Sequence, residues 1–226
     1  MTPRLVQACS GGVVAGAAEV FSAALRGQTC LVHGLGDQAV VLPTQRWAAD
    51  ACVGDEALLS RCAGPTIDVG CGPGRLTHAL SLRGVTSLGV DIIPEAVAQA
   101  RARGANALLR DLFARLPGEG RWSSALLADG NIGIGGDPVR LLRRVSHLVA
   151  ADGVIVVDLA SPGLGIRTRS VRLEVAGRRS APFAWSLVSP EALTGLARAA
   201  ALTVLDVAAS HDRWVAELTP VRGGGR

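Results

Sequence analysis

The segment Thr66-Ile67-Asp68-Val69-Gly70-Cys71-Gly72-Pro73-Gly74-Arg75-Leu76 constrains this chain more than any other. A short, mostly β-branched strand delivers the backbone to a turn with glycines at three alternate positions. Positions without side chains let the backbone bend sharply and approach a ligand closely. The turn also opens a helix, whose free N–H groups attract a carboxylate. From Pro65 onward strand and helix patterns alternate. Strands are expected at Thr66–Val69, Val85–Val90, Ala105–Leu109, Trp122–Ala128 and Val154–Leu159, with helices to Leu82, from Pro94 to Arg103 and from Pro138 to Val149. Asp137 is placed to cap the last of these helices. Such alternation implies right-handed crossovers and a parallel sheet covered by helices on both faces, a doubly wound α/β fold.

The flanking regions have a different texture. Apolar spacing predicts a helix over 5–25, a strand pair at Cys30–His33 and Ala39–Leu42, and a helix over Gln45–Leu59. Beyond Ser161-Pro162-Gly163, Arg169–Val175 and Phe183–Val188 are expected to pair as a hairpin. Ser189 then caps a helix with Pro190 at its first position, and Leu202–Ala208 and Arg213–Leu218 are the final strands. This divides the chain into an extension (1–60), a core domain (61–220) with an insertion at about 163–188, and a frayed tail (221–226).

With 49% hydrophobic and 19% charged residues, 226 residues supply a sizeable core. The net charge of +4 and pI near 9.2 permit acidic partners without demanding them. Every basic residue is Arg, and these are spread along the chain. The tightest groups, Arg140/Arg143/Arg144 and Arg167/Arg169/Arg172, read as solvated faces, so nucleic acid is not an expected partner. Five cysteines (9, 30, 52, 62, 71) contain no C-x-x-C and no histidine at metal-ligand spacing. That set argues against a disulfide framework or a metal site and for a reducing cytoplasm. Arg4 and Ala15-Gly16-Ala17 mimic parts of an export signal. However, Gln7, Ser10, Gly11 and Gly12 interrupt its apolar stretch, and Glu19 would interrupt a membrane helix.

A dinucleotide fingerprint would be G-x-G-x-x-G, and its third glycine would fall on Pro73 or Arg75. The observed G-x-G-x-G, two residues after Asp68, instead resembles motif I of the class I S-adenosylmethionine methyltransferases. The resemblance is specific over residues 64–160 and extends to 189–219 only by the order of elements. It implies a mostly parallel seven-stranded sheet with an antiparallel last strand and S-adenosyl-L-methionine as cofactor. It implies that Gly70, Cys71, Gly72 and Gly74 pack against the methionine part, with Asp68 helping to position its amino group. Asp91, with Ile92 beside it, ends the next strand, where a carboxylate can accept both ribose hydroxyls; the alternative is a turn cap. By the same resemblance Asp111 accepts from the adenine amino group and the Leu112 N–H meets the ring; the alternative for Asp111 is capping a short helix. Asp129, Gly130 and Asn131 fall at the methionine end. The Asn/Asp-Pro-Pro-aromatic motif of many base-methylating relatives is absent there. The glycine-rich run 133–137 lacks the Lys-Ser/Thr of a phosphate loop and serves as a helix lead-in.

A sulfonium methyl is electrophilic, so the protein mainly has to hold a nucleophile in line. Acceptor contacts are expected outside the core sheet, with Asn131, Trp47 and Trp185 as substrate candidates and His33 as the candidate base. His147, late in a helix, caps carbonyls instead, and His211 sits in a turn. The expected activity is methyl transfer to O, N or C of a small metabolite. Alternatives are a non-catalytic S-adenosylmethionine-binding regulator, an RNA or protein methyltransferase, and a nicotinamide oxidoreductase.

Overall fold

The structure is a computed structural model, and it describes residues 16–211 and 213–221. α1 (Ala17–Leu25) leads to β1 (Cys30–His33), β2 (Val40–Val41), α2 (Thr44–Ala48) and α3 (Glu56–Leu59). Strands and helices then alternate through β3 (Thr66–Val69), α4 (Arg75–Leu82), β4 (Ser87–Asp91), α5 (Pro94–Ala102), β5 (Ala107–Leu109), β6 (Trp122–Leu127), α6 (Pro138–Ser146) and β7 (Val149–Leu159). β8 (Ile166–Val175), β9 (Arg178–Arg179) and β10 (Phe183–Val188) precede α7 (Pro190–Ala199), β11 (Leu202–Ser210) and β12 (Arg213–Pro220).

Seven strands form one sheet in the order β11-β12-β7-β6-β3-β4-β5. β3 to β7 run parallel, and β12 is antiparallel to both β7 and β11. The expected doubly wound sheet with a reversed last strand is therefore present. Its strands are buried on both faces, as parallel sheets require. Ile67, Val69, Leu127 and Val157 face α6 and α7 through Leu141, Leu142 and Leu193. Leu126, Ala128 and Val156 face α3 and α4 through Leu58, Leu76 and Leu80. Strand order reverses between β3 and β6, which places a ligand crevice at their carboxyl ends.

The extension and the insertion, about 130 residues apart in sequence, build a second sheet together. Its order is β10-β8-β1-β2, with β9 also paired to β8. Cys30 lies opposite Val175 and Val32 opposite Leu173, and these residues pack on Val20 and Ala24 of α1. Residues 5–15 of the expected first helix, and 222–226 of the tail, lie outside the described residues.

Two local expectations are corrected. The helix expected over Gln45–Leu59 is broken: Ala49 is extended (ψ 174°), and Val53–Asp55 form a 3-10 turn before α3. The Asp55 carboxylate accepts the Cys52 N–H at 2.9 Å and turns inward, a tertiary demand that overrides helical spacing. Ser189 does not cap α7. Its hydroxyl donates to Ser161 O (2.8 Å) and accepts the Leu164 N–H (3.2 Å), closing the loop into β8. The first arginine group is at the surface as expected, with Arg140 and Arg143 exposed, and is also engaged locally. Arg143 donates to Ala199 O, Arg144 to Leu112 O and Ala114 O, and Arg140 lies 4.2 Å above the Phe113 ring. Among the described residues no helix is long and apolar enough to cross a membrane.

Candidate active site

The glycine turn after β3 is held by its neighbouring strand: the Gly70 N–H donates to Val90 O at 2.8 Å. Gly70, Gly72 and Gly74 all have positive φ (74°, 54° and 80°). Their surroundings differ. A Cβ on Gly70 would lie 2.7 Å from Asn131 Nδ2, and one on Gly74 would lie 2.7 Å from Ala100 Cβ. A Cβ on Gly72 would meet nothing within 4 Å. The outer two glycines thus serve packing, and the middle one borders open space.

The acidic residues gather around this turn. Asp91 Oδ2 accepts the Gly72 N–H at 2.9 Å and Oδ1 accepts the Ile93 N–H at 2.8 Å. Burial raises the Asp91 carboxyl above its usual range, against those N–H groups. Ile92 beside it is 61% exposed, unusual for a large aliphatic side chain. Asp68 is buried, accepts from Thr77 Oγ1 at 2.6 Å, and is pushed up to about 6 by burial, with the charges of Asp129 and Asp91 adding to the rise. Asp111 lies two residues beyond Leu109, which pairs with Asp91. Its Oδ1 accepts the Phe113 N–H at 2.9 Å, so it caps its own turn, while Leu112 is buried.

At the end of β6, Asn131 Nδ2 donates to both Val69 O and Gly70 O at 2.9 Å, stapling this loop to the glycine turn. Asp129, at φ 50°, turns away into a charge cluster that sequence reasoning missed. Arg75 pairs with Asp55 and with Asp129 (2.6 Å). Arg213 pairs with Asp55 (3.0 Å), Asp129 (3.1 Å) and Asp158 (2.5 Å). Three carboxylates thus meet two guanidiniums, nearly all out of water. Burial lifts Asp158 to about 6, Arg213 opposes that rise, and Asp129 adds to it. Burial also acts to raise Asp55, but Arg75, the Cys52 N–H and Arg213 outweigh it and hold the carboxyl low.

The extension and the insertion meet this edge at two places. On one side Gln99 of α5 donates to Leu25 O at 2.9 Å, and Arg103 donates to Pro73 O at 3.2 Å and pairs with Asp50 at 2.8 Å. On the other side Ile134 forms an antiparallel bridge with Trp185 of β10. The Ile134 Cδ1 lies 3.2 Å from where a Gly70 Cβ would stand, so the Trp185 region adjoins the glycine turn. Ser186 and Thr168 both donate to Gly136 O, at 3.0 and 3.2 Å.

Two candidates have partners of their own. His33 pairs with Glu174 at 3.0 Å on the face of the second sheet opposite to Val32, Leu173 and Trp185. Trp47 stacks on Phe21 of α1 with ring centroids 5.9 Å apart. His147 ends α6, and His211 lies in the β11–β12 turn, two residues from Arg213.

Residues 67–153 match the family model described as a methyltransferase domain. That segment is similar to a methyltransferase domain, and the fold around it is of the class I kind. S-adenosylmethionine is the cofactor of this class. A Bacteroides fragilis S-adenosylmethionine-dependent methyltransferase, solved with S-adenosyl-L-homocysteine, is similar in fold: TM-score 0.77, 19% identity, covering 92% of this chain and 98% of that one. The CcbJ methyltransferase from Streptomyces caelestis has TM-score 0.59 at 19% identity, covering 77% and 92%. A Burkholderia thailandensis 1,6-didemethyltoxoflavin-N1-methyltransferase, with bound 1,6-didemethyltoxoflavin and S-adenosylhomocysteine, has TM-score 0.53 at 22% identity, covering 73% and 74%. No curated protein matches the chain in sequence.

Of the charge cluster, Arg75 and Asp129 lie inside the matched segment, and Asp55, Asp158 and Arg213 lie outside it. Asp158 carried a usable signal, an acid at the end of a buried strand. Arg213 carried none: one arginine among 23 is indistinguishable until β12 brings it to the sheet edge.

Proposed function

We propose that this methyltransferase moves the methyl group of S-adenosylmethionine to O, N or C of a small metabolite by in-line displacement. The observation that carries this reading is the open space over Gly72, bordered by the Asp91 carboxylate and the exposed Ile92. That cradle suits a nucleoside: each Asp91 oxygen holds one N–H and keeps a lone pair for a ribose hydroxyl. In this assignment Gly70, Cys71, Gly72 and Gly74 line the methionine part, Asp68 helps orient its amino group, and Ile92 packs on the adenosine. Asp111 and Leu112 bound the adenine end, Asp111 through whatever accepting capacity its turn leaves. Asp129, whose carboxylate is engaged by Arg75 and Arg213, contributes through its backbone with Gly130, and Asn131 holds the turn in place. Once bound, the cofactor supplies an electrophilic methyl; the chain's own residues orient it, shield it and select the acceptor.

The second sheet, bridged to the core at Ile134 beside Gly70 and packed on α1, which contacts α5, borders the proposed methionine end and favours a small acceptor. The B. thailandensis relative, solved with a bound small molecule, is compatible with that choice. Free thiols at Cys30, Cys52, Cys62 and Cys71 accord with a cytoplasmic setting. Calorimetric titration with S-adenosylhomocysteine tests the cofactor assignment. Asp91→Asn is expected to weaken binding about tenfold or more, the loss of charge-assisted hydrogen bonds. Incubation with S-adenosylmethionine and a metabolite extract should release S-adenosylhomocysteine. Binding without that release would mark a non-catalytic cofactor-binding protein instead.

A further inference from the structure

The bridge between Ile134 and Trp185 continues across the second sheet, because Trp185 lies directly opposite Arg169 of β8. Directly opposed residues share a sheet face. Ile134, Trp185 and Arg169 therefore form one row that starts beside Gly70 and runs outward. With strands about 4.8 Å apart, Arg169 is rooted about 10 Å along that row. Its side chain is long enough to reach back over Trp185. The same face carries Val171, Leu173 and Val175, which are buried against α1, but the row at Arg169 lies beyond that cover and Arg169 is exposed. Arg167, two residues earlier, donates to Leu164 O. Arg169 has no hydrogen bond, ion pair or ring contact among the described residues. A guanidinium without a partner among the described residues, next to a half-buried indole on the row that begins at the glycine turn, is arranged for a planar acid.

We propose that Trp185 and Arg169 form the acceptor subsite of this enzyme and select a planar small molecule bearing a carboxylate. The ring lies against the indole, and the guanidinium accepts no role in catalysis beyond holding the acid group so that the rest of the molecule projects toward Gly70. This proposal rests on the cofactor assignment above and names the acceptor class for the same site. Arg172 provides an internal control: it lies on the same strand but on the opposite face, across from His33.

The test uses protein saturated with S-adenosylhomocysteine, titrated with 1-naphthoate and with 1-naphthamide by calorimetry. The acid is expected to bind about tenfold tighter than the amide. Arg169→Gln should abolish that preference, Arg172→Gln should leave it unchanged, and Trp185→Leu should weaken both probes by a similar factor. Should Trp185→Leu fail to fold, the exposed Arg169→Gln and Arg172→Gln pair still decides the matter. If S-adenosylhomocysteine itself does not bind, the cofactor assignment falls and the subsite falls with it. If it binds but acid and amide bind alike, neither probe binds, Trp185→Leu binds both as the wild type does, or both arginine variants lose the same amount, only the subsite is overturned.

Discussion

The two halves of this crevice are made in different ways. On the proposed cofactor side, Gly70 to Gly74 and Asp91 belong to one strand–turn–helix–strand unit, and the contacts that matter start from backbone N–H groups: Gly72 N–H to the Asp91 carboxylate and Gly70 N–H to Val90 O. On the proposed acceptor side, α1, β1 and β8 assemble from distant stretches, and the joints include side chains such as Ser186, to Gly136 O, and Arg103, to Asp50. A short unit whose geometry comes from backbone needs little beyond glycine at the right places. A surface gathered from the ends of the chain can vary freely, which suits the half that chooses a substrate.

The sharpest way to break this comparison is the charge cluster that links the halves. Arg213→Met strips one of two guanidiniums from three carboxylates, and removing one member of a buried ionic network costs about 3–5 kcal/mol. Urea denaturation of the variant should show that loss; wild-type stability would mean the cluster joins nothing. Next come two glycines only two residues apart. Gly74→Ala drives a methyl group into Ala100 and is expected to cost about 3 kcal/mol of stability, from overpacking and a left-handed backbone together. Gly72→Ala meets only open space and should cost about 1–2 kcal/mol of stability, yet weaken S-adenosylhomocysteine binding about 10- to 100-fold. Equal effects of the two substitutions on both stability and affinity would erase the distinction between packing glycine and ligand-facing glycine.

Asp68 sharpens the cofactor half through pH. Burial sets its folded value at about 6, above an ordinary value of 3.8. Below pH 4 the carboxyl is neutral folded or unfolded and has no effect. As pH rises from 4 to 6 the unfolded chain ionises first, so the folded wild type loses stability, and the loss stays constant above that range. Asp68→Asn carries no such charge. Its stability relative to wild type should improve by up to about 3 kcal/mol between pH 4 and pH 7, read from denaturant unfolding at the two values. An unchanged difference would contradict the desolvation of this group. The smallest expected effect is on the acceptor side. His33→Ala removes a partly exposed pair with Glu174 on the far face of the second sheet, so methylation rate and pH profile should stay as in the wild type. A changed pH profile would return His33 to the site.

Legibility followed the same division. The turn at 70–74, the strand-end Asp91 and the β–α alternation could be read in one pass, because each depends on neighbours a few residues away. Asn131 was placed at the methionine end from its strand position, but its two hydrogen bonds to the glycine turn are a tertiary fact. Asp129 shows the limit: its place at the end of β6 was legible, and the direction of its carboxylate, toward Arg75 and Arg213, was not. The break in the expected 45–59 helix is tertiary too: the extended backbone at Ala49 and Cys52 leads into the 3-10 turn that carries Asp55 to that cluster.

From sequence alone came the doubly wound sheet, the glycine cradle and the cofactor class, because strand and helix periodicity and backbone turns are encoded over short spans of chain. Only the tertiary structure decided that the extension and insertion share one sheet, that five distant charges converge at one edge, and that Trp185 and Arg169 stand in a row from Gly70. Pairing across strands and burial of opposite charges depend on which surfaces meet, and residues 30 and 175 carry no mark of each other until the chain has folded.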